Sequence, residues 1–545
     1  MRPAWPDREA QVARLCGRED PFDLLVVGGG ATGTGVALDA ATRGLDVALV
    51  ERGDFSAGTS SRSTKLIHGG VRYLERAVKH FDRSQFNLVR DALHERAILL
   101  RIAPHLSHPL PIVTPLYNWL EVPYYLTGLK LYDWLAGRAN LQKSRFVDAH
   151  EALERFPMLR QQGLRGGVLY YDGQFDDARM NVAIALTAAQ QGAAIANYVA
   201  VEDLLRENGR VCGARLHDRL SGDRFDVAAR VVVNATGPFT DGLRRMEDPA
   251  AEPMVTASSG IHVVLDKRFS PPATGLLIPQ TEDGRVLFLL PWLGHTLVGT
   301  TDNEAEIDEN PRAHEDEIAY VLRHVERYFA VPVSRSDVRA SWSGLRPLVS
   351  DPTSADTAGL SRDHVVNVGP AGLVTIAGGK WTTYRRMAVD AVNEAVKVAG
   401  LAPERPSGTE SLPLVGGEAF SAQGAGALQE RFGLDADVAS YLNGAYGSYA
   451  PEVAGLATDG HGNRLLEGQP YLEAEVVYAA RHEYARNTAD VLWRRLRVAM
   501  LDEADAAAVL DRVSELLGNE LGWSRERADA DLAQARELLG VPQAA

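Results

Sequence analysis

Gly28-Gly29-Gly30-Ala31-Thr32-Gly33 is the stretch from which the fold of this chain can be read. It follows the apolar run Leu24-Leu25-Val26-Val27 and opens the helix-like stretch Val36 to Ala41. A second apolar run, Val47-Ala48-Leu49-Val50, ends at Glu51. Strand, glycine turn, helix, strand, acid is the order of a dinucleotide-binding βαβ unit. Gly28, Gly30 and Gly33 allow the tight turn and let main-chain N–H groups approach a pyrophosphate at a helix N-terminus. Glu51 can accept hydrogen bonds from a ribose with a free 2′-hydroxyl. A lone G-x-G-x-x-G is weak evidence and a merely structural glycine turn is the alternative, but this one stands in its full βαβ context.

The remaining composition narrows the class. A chain of 545 residues is too long for a single core, so two or three domains are expected. The net charge of −15 argues against a general nucleic-acid binder but leaves room for an anionic small substrate held by a few arginines. Cys16 and Cys212 make neither a disulfide framework nor a zinc site, which suits a reducing compartment. Residues Met1 to Asp20 lack the apolar core of a secretory signal, and no run of about 18 apolar residues suggests a spanning helix. Between Leu106 and Leu135, Tyr117, Trp119, Tyr124, Tyr125, Tyr132 and Trp134 stand among aliphatic residues and prolines. This segment reads either as an interfacial membrane anchor or as a proline-broken packing segment between domains.

Along the chain, 20–101, 165–245 and 365–400 read as a discontinuous nucleotide domain. Residues 102–164, irregular and apolar, look inserted, and with 246–364 they form a second, antiparallel domain. A linker rich in Pro, Gly and Ser spans 401–417, and 418–545 is mostly helical. The apolar run Arg230 to Asn234 reads as a buried parallel strand ending at the small-residue turn Ala235-Thr236-Gly237. Leu373 to Gly379 reads as another strand running into a glycine turn, with a helix after it, so two helix N-termini can face one cofactor. Asn487 to Asp490 is expected to cap a helix carrying Leu492, Trp493, Leu496 and Met500, with Arg494, Arg495 and Arg497 on a solvated, salt-bridged face. Downstream of Glu51, Thr59, Ser60, Ser61, Lys65, Leu66, His68 and the pair Gly69-Gly70 offer hydroxyls, main-chain N–H groups and close backbone approach to phosphate, ribityl oxygens and a flat ring.

These segments, together with Trp342-Ser343-Gly344-Leu345-Arg346-Pro347 and Gly378-Gly379-Lys380-Trp381-Thr382-Thr383-Tyr384, closely resemble the FAD-dependent glycerol-3-phosphate dehydrogenases from about Phe22 to Leu501. The resemblance implies an α/β plus α+β architecture: a glutathione-reductase-like FAD-binding domain, an antiparallel-sheet substrate-capping domain and a C-terminal helical domain. It implies oxidation of sn-glycerol 3-phosphate to dihydroxyacetone phosphate, with hydride passing from C2 to flavin N5 and electrons continuing to membrane quinone. A cytoplasmic enzyme held peripherally on the inner face of the cytoplasmic membrane, with a homodimer as candidate assembly, is the corresponding expectation. An oxygen-using oxidase and an amine or amino-acid oxidase of the same fold are the alternatives. The mitochondrial branch carries calcium loops, but no such loop is found here and no metal site is expected.

Matched residue by residue, the resemblance gives FAD contacts at Gly28, Gly30, Gly33, Glu51, Thr59, Ser60, Ser61, Lys65, Leu66, His68, Val199, Thr236, Gly237, Gly379, Thr382 and Thr383. It gives substrate contacts at Arg72, Tyr73, His262, Arg346, Arg362 and Lys380. A phosphate ester suits planar, permanently charged forks, so Arg346 and Arg362 are expected to grip it and Arg72 to orient the substrate. His262 is expected to be the base, with Lys380 the positive group that balances charge on the reduced ring; the reverse assignment stays open. Arg346, following what reads as a Trp-Ser-Gly turn, is placed inside the protein.

Overall fold

The computed structural model describes residues 5–70, 83–349 and 364–540. Arg72, Tyr73 and Arg362 lie outside them.

Two sheets organise the first two-thirds of the chain. In the first, the strands run in the order His364–Val368, Val374–Gly378, Arg224–Asn234, Phe22–Val27, Val47–Val50 and Ala194–Ala196. The five from Val374–Gly378 onward are mutually parallel, and His364–Val368 closes the edge antiparallel. Such strands are buried on both faces, which is why they read as unbroken runs of Val, Leu, Ile and Ala. One face is covered by helices Ala31–Thr42, Asp177–Gln190 and Tyr384–Ala399. Gly35 lets two of them approach closely: a Cβ there would stand 2.8 Å from the Tyr384 ring. The meander Val199–Glu207, Arg210–Asp218 and the first half of Arg224–Asn234 covers the opposite side.

The second sheet is built mainly from antiparallel pairs, with one parallel pairing between Gly275–Ile278 and Ser107–Leu116. It draws on Leu66–Ile67 and Gly166–Phe175, which lie inside segments assigned to the nucleotide domain from sequence. The segment 102–164 is more regular than its composition suggests. It holds the ten-residue strand Ser107–Leu116 and the helix Glu121–Ala136. Pro109, Pro111 and Pro115 are tolerated in that strand even though a proline donates no ladder hydrogen bond.

Helices dominate from Gly424 to Leu539, and residues Leu442, Tyr446 and Tyr478 share one apolar core with Val36, Ile184 and Met387 of the nucleotide domain. The expected helix after Asn487 is broken. It becomes a wide turn over Asp490–Arg495, then a left-handed residue at Arg497 (φ 69°), then the short helix Val498–Leu501. Its arginines are not solvated: Arg495 and Arg497 are fully buried and Arg494 nearly so. Arg494 and Arg495 donate to Asp54 at 2.6 and 2.8 Å, and Arg497 donates to Asp177 at 3.1 Å. A row of arginines reads as a surface face in sequence. Asp490, one turn before Arg494, and Glu483, which pairs with Arg495, are close in sequence, but Asp54 and Asp177 stand more than 300 residues away.

Candidate active site

Three glycine-lined turns meet at the C-terminal ends of the parallel strands, where ligands bind in open α/β sheets. At the first, a Cβ on Gly33 would lie 1.8 Å from the Gly28 carbonyl oxygen, and one on Gly28 (φ 112°) would lie 2.6 Å from the carbonyl of Ala235. The N-cap residue of helix Ala31–Thr42 is Gly30, which has no side chain to cap it, so the first N–H groups face the turn; the first of them, Ala31, donates to Ser60 Oγ at 2.9 Å. The Glu51 carboxylate accepts from Gly29 N at 2.6 Å and from Gly53 N at 2.8 Å. Each oxygen takes one bond and keeps acceptor capacity for a ribose hydroxyl. Burial raises the Glu51 pKa, against the two N–H donors that hold it ionised.

Ser60 ties this turn to the late one. Its hydroxyl serves Ala31, and its carbonyl accepts the indole N–H of Trp381 at 2.9 Å. Thr382 Oγ1 accepts from the main chain of His68 at 3.2 Å. Gly379, with φ 77°, follows the strand Val374–Gly378, which pairs with the same strand that flanks Phe22–Val27. Lys380 comes next, its amino nitrogen out of solvent, and Thr383 leads into the helix Tyr384–Ala399. The third turn holds Thr236, bonded to Asn234 Oδ1 at 2.7 Å, and Gly237 at φ 60°. Val199 enters through its main chain, donating to the Glu51 carbonyl at 2.8 Å. The two separated glycine turns therefore converge. This cradle, with Gly28 and Gly33 packed too closely against backbone for a Cβ, an acid on main-chain N–H groups and a helix whose N-cap is glycine, fits an adenine dinucleotide.

The second sheet presents its own row of residues toward Arg62, on the loop after Glu51. In the pairing of Val255–Asp266 with Val338–Val349, Ser258 faces Arg346, Gly260 faces Gly344 and His262 faces Trp342. Side chains alternate along a strand, so all six share one face. The two central glycines leave room. The Arg346 guanidinium folds over Gly260, where a Cβ would lie 2.2 Å from Nη2, and the Arg62 carbonyl sits 2.8 Å from where a Gly344 Cβ would be. Trp342-Ser343-Gly344 is thus strand interior, not a turn. Its glycine provides space for a neighbouring backbone.

Arg346 donates to Asp302 Oδ1 at 3.1 Å, Thr300 Oγ1 at 3.0 Å and the Thr301 carbonyl at 2.9 Å. His262 is 2% exposed. Its Nε2 lies 3.0 Å from Thr64 Oγ1, its ring stacks on Trp342 at 4.2 Å, and Nδ1 has no hydrogen-bond partner among the described residues. Burial, reinforced by Lys65 and Arg346, pushes its pKa well below the ordinary value, so the imidazole is neutral.

Thr59, on the loop after Glu51, binds the second sheet, its hydroxyl donating to the Leu345 carbonyl at 2.6 Å, while Leu66 packs into that sheet's core. Lys65 and Ser61 lie deeper. The Lys65 ammonium is fully buried, 2.7 Å from Asp177 Oδ2 and 2.8 Å from the Ser61 carbonyl. Burial, opposed by Asp177 and assisted by Arg497, brings its pKa down to about 7. Asp177 and Arg497 did not emerge from the sequence; nothing in their local patterns sets them apart from ordinary helix-cap and surface residues.

Residues 23–385 match the family model of FAD dependent oxidoreductases, and residues 407–528 match the C-terminal domain of alpha-glycerophosphate oxidase. The chain belongs to the FAD-dependent glycerol-3-phosphate dehydrogenase family. It is 50% identical to the human mitochondrial glycerol-3-phosphate dehydrogenase across 98% of this chain and 75% of the human one. It is 48% identical to the mitochondrial enzyme SDP6 of Arabidopsis thaliana, over 98% and 89% of the two chains. Among solved structures, the glycerol-3-phosphate dehydrogenase of Bacillus halodurans complexed with FAD superposes with a TM-score of 0.79 at 31% identity, covering 98% of this chain and 97% of that one. FAD, the cofactor that the sequence resemblance implied, is that of the family, and the three-part architecture is the one the resemblance pointed to.

Proposed function

We propose that this flavoenzyme oxidises sn-glycerol 3-phosphate to dihydroxyacetone phosphate at the face shared by His262 and Arg346. The observation that carries the reading is their placement: a buried histidine and a guanidinium folded over Gly260 toward it, on the sheet to which the loop after Glu51 bonds through Thr59. FAD, held in the glycine cradle, supplies the acceptor for the hydride that leaves C2. With the His262 Nε2–H directed to Thr64, the lone pair at Nδ1 takes the C2 hydroxyl proton. Arg346 binds the phosphate, with Asp302 fixing its plane. Arg362 and Arg72, with Tyr73, complete the grip on the substrate. Lys380, at the mouth of the late glycine turn, balances negative charge at the ring. The hydroxyls of Ser60, Thr236, Thr382 and Thr383 and the main chain near His68 serve the cofactor. Adding glycerol 3-phosphate to the yellow protein without an acceptor should bleach the visible flavin bands. Retention of colour with glycerol 3-phosphate, and bleaching with an amine or amino acid instead, would overturn the assignment.

The electrons pass to a membrane quinone, and the enzyme docks peripherally. Support comes from the segment that two readings competed for. Trp119, Leu120, Tyr124 and Trp134 project from the turn and helix around Glu121–Ala136, with Trp134 74% exposed and Leu120 81%. Tyr and Trp favour the headgroup zone of a bilayer. Among the described residues no helix is long and apolar enough to cross a membrane. Sedimentation with anionic phospholipid vesicles should carry the enzyme down, and Trp119→Ser/Trp134→Ser should leave it in the supernatant with dye-linked activity intact. Stoichiometric peroxide with no quinone reduction would instead identify an oxidase.

A further inference from the structure

The C-terminal helical domain sends one side chain into the buried layer beneath the reacting face. Arg497 is 1% exposed and donates through one nitrogen to Asp177 Oδ1 at 3.1 Å and to the Ser61 carbonyl at 2.8 Å. Lys65 binds the other oxygen of the same carboxylate and the same carbonyl. Ser63 adds its N–H at 2.9 Å and its hydroxyl at 2.7 Å to Asp177 Oδ2. The Lys65 ammonium also lies over the Trp342 ring, 4.5 Å from its centroid, and Trp342 is the ring on which His262 stacks. Both cations reach Asp177 from left-handed backbone, Lys65 at φ 62° and Arg497 at φ 69°, a conformation that non-glycine residues keep only where surrounding structure imposes it.

We propose that Arg497 is a positioning residue for catalysis: by sharing Asp177 with Lys65 it fixes the Lys65 amino group against Trp342 and sets the charge that His262 meets when it takes the substrate proton. This rests on His262 being the base. One carboxylate serves two cations here, and only Lys65 can give up its charge, because a guanidinium stays protonated. The charged groups around Lys65 are Asp176 and Asp177 at the start of one helix and Arg497 from the C-terminal segment; those around His262 are Lys65 and Arg346. Arg497 therefore weakens the hold of Asp177 on the Lys65 proton, and the neutral lysine lets an imidazolium form nearby. Without Arg497, Lys65 keeps its proton to higher pH and opposes that charge.

The test is a pH profile of kcat and KM for glycerol 3-phosphate, with a soluble dye as acceptor, on holoenzyme carrying Arg497→Met, Arg497→Lys or His262→Gln. Flavin content normalises every rate. Arg497→Met should lower kcat at neutral pH about tenfold with KM changed less than about twofold, and should move the near-neutral inflection upward by about one pH unit. Arg497→Lys should restore most of both. If the methionine variant does not assemble, Arg497→Gln, which keeps a donor but no charge, should show the same upward shift. An unmoved inflection in the neutral variants, or a loss of rate explained entirely by lost flavin, overturns the proposal. If His262→Gln also keeps the wild-type profile, the failure lies with His262 as base. If only the Arg497 variants keep it, the failure lies with the positioning role.

Discussion

The imidazole of His262 and the indole of Trp342 lie face to face, with centroids 4.2 Å apart and planes 21° from parallel. The contact follows from register, since the two residues are directly opposed on adjacent strands of the second sheet. It fixes the ring plane of the proposed base, and the bond between Nε2 and Thr64 fixes its rotation.

The His262 imidazole is kept neutral chiefly by burial. Its folded pKa lies below the unfolded value of about 6.5, so between the two values the unfolded chain binds the extra proton. Stability should therefore rise with pH through that window and fall as the solution is acidified below about 6.5. Denaturant midpoints measured from about pH 5 to 7 should show a shallower slope for His262→Gln than for the parent. An equal slope would show that His262 does not titrate on unfolding.

Arg346→Ala removes a guanidinium that four acceptors hold in place, and it leaves Asp302 without that partner. Truncating one member of a desolvated charge pair costs about 2–5 kcal/mol. At about 1.4 kcal/mol per decade, kcat/KM for glycerol 3-phosphate should fall at least roughly 30-fold. Steady-state kinetics with a dye acceptor would measure it, and an unchanged value would remove Arg346 from the phosphate site.

Gly33→Ala places a Cβ 1.8 Å from the Gly28 carbonyl, so the turn must open. Overpacking of this kind costs about 1–3 kcal/mol or more. The variant should purify with little of the visible flavin absorbance of the parent. Gly58→Ala meets nothing within 4 Å and is the matched control, expected to keep its colour.

Asp54 takes two arginines from the C-terminal segment and a third donor from Asn197 at 3.0 Å. Removing one partner from a buried ion pair costs about 3–5 kcal/mol. Arg495→Met should lower the thermal midpoint by several degrees, and loss should appear first at the contact between the helical domain and the nucleotide domain. Hydrogen exchange along Asp490–Arg495 would locate it. An unchanged midpoint would mean that the network contributes little beyond its own desolvation.

Local pattern carried much of this protein. Contiguous residues specify the first glycine turn, the apolar parallel strands and the late glycine turn, because a βαβ unit writes its strand, its φ requirement and its acid within about 30 residues. The same holds for the helix beginning at Tyr384. Composition hid the order within 102–164, since prolines argue for loops and only the pairing of Ser107–Leu116 with Gly166–Phe175 makes a strand of them. It also misplaced Trp342-Ser343-Gly344, whose glycine serves a neighbouring backbone instead of a turn. Arginine identity was legible at 494, 495 and 497; burial was not. Whether a guanidinium is solvated or neutralised depends on where Asp54 and Asp177 come to rest, and no window of sequence contains both partners. The sequence alone determined which cofactor this chain is built to hold; only the tertiary structure decided which charges lie beneath the face where the substrate is oxidised, because long-range ion pairs are set by packing and leave no periodicity to read.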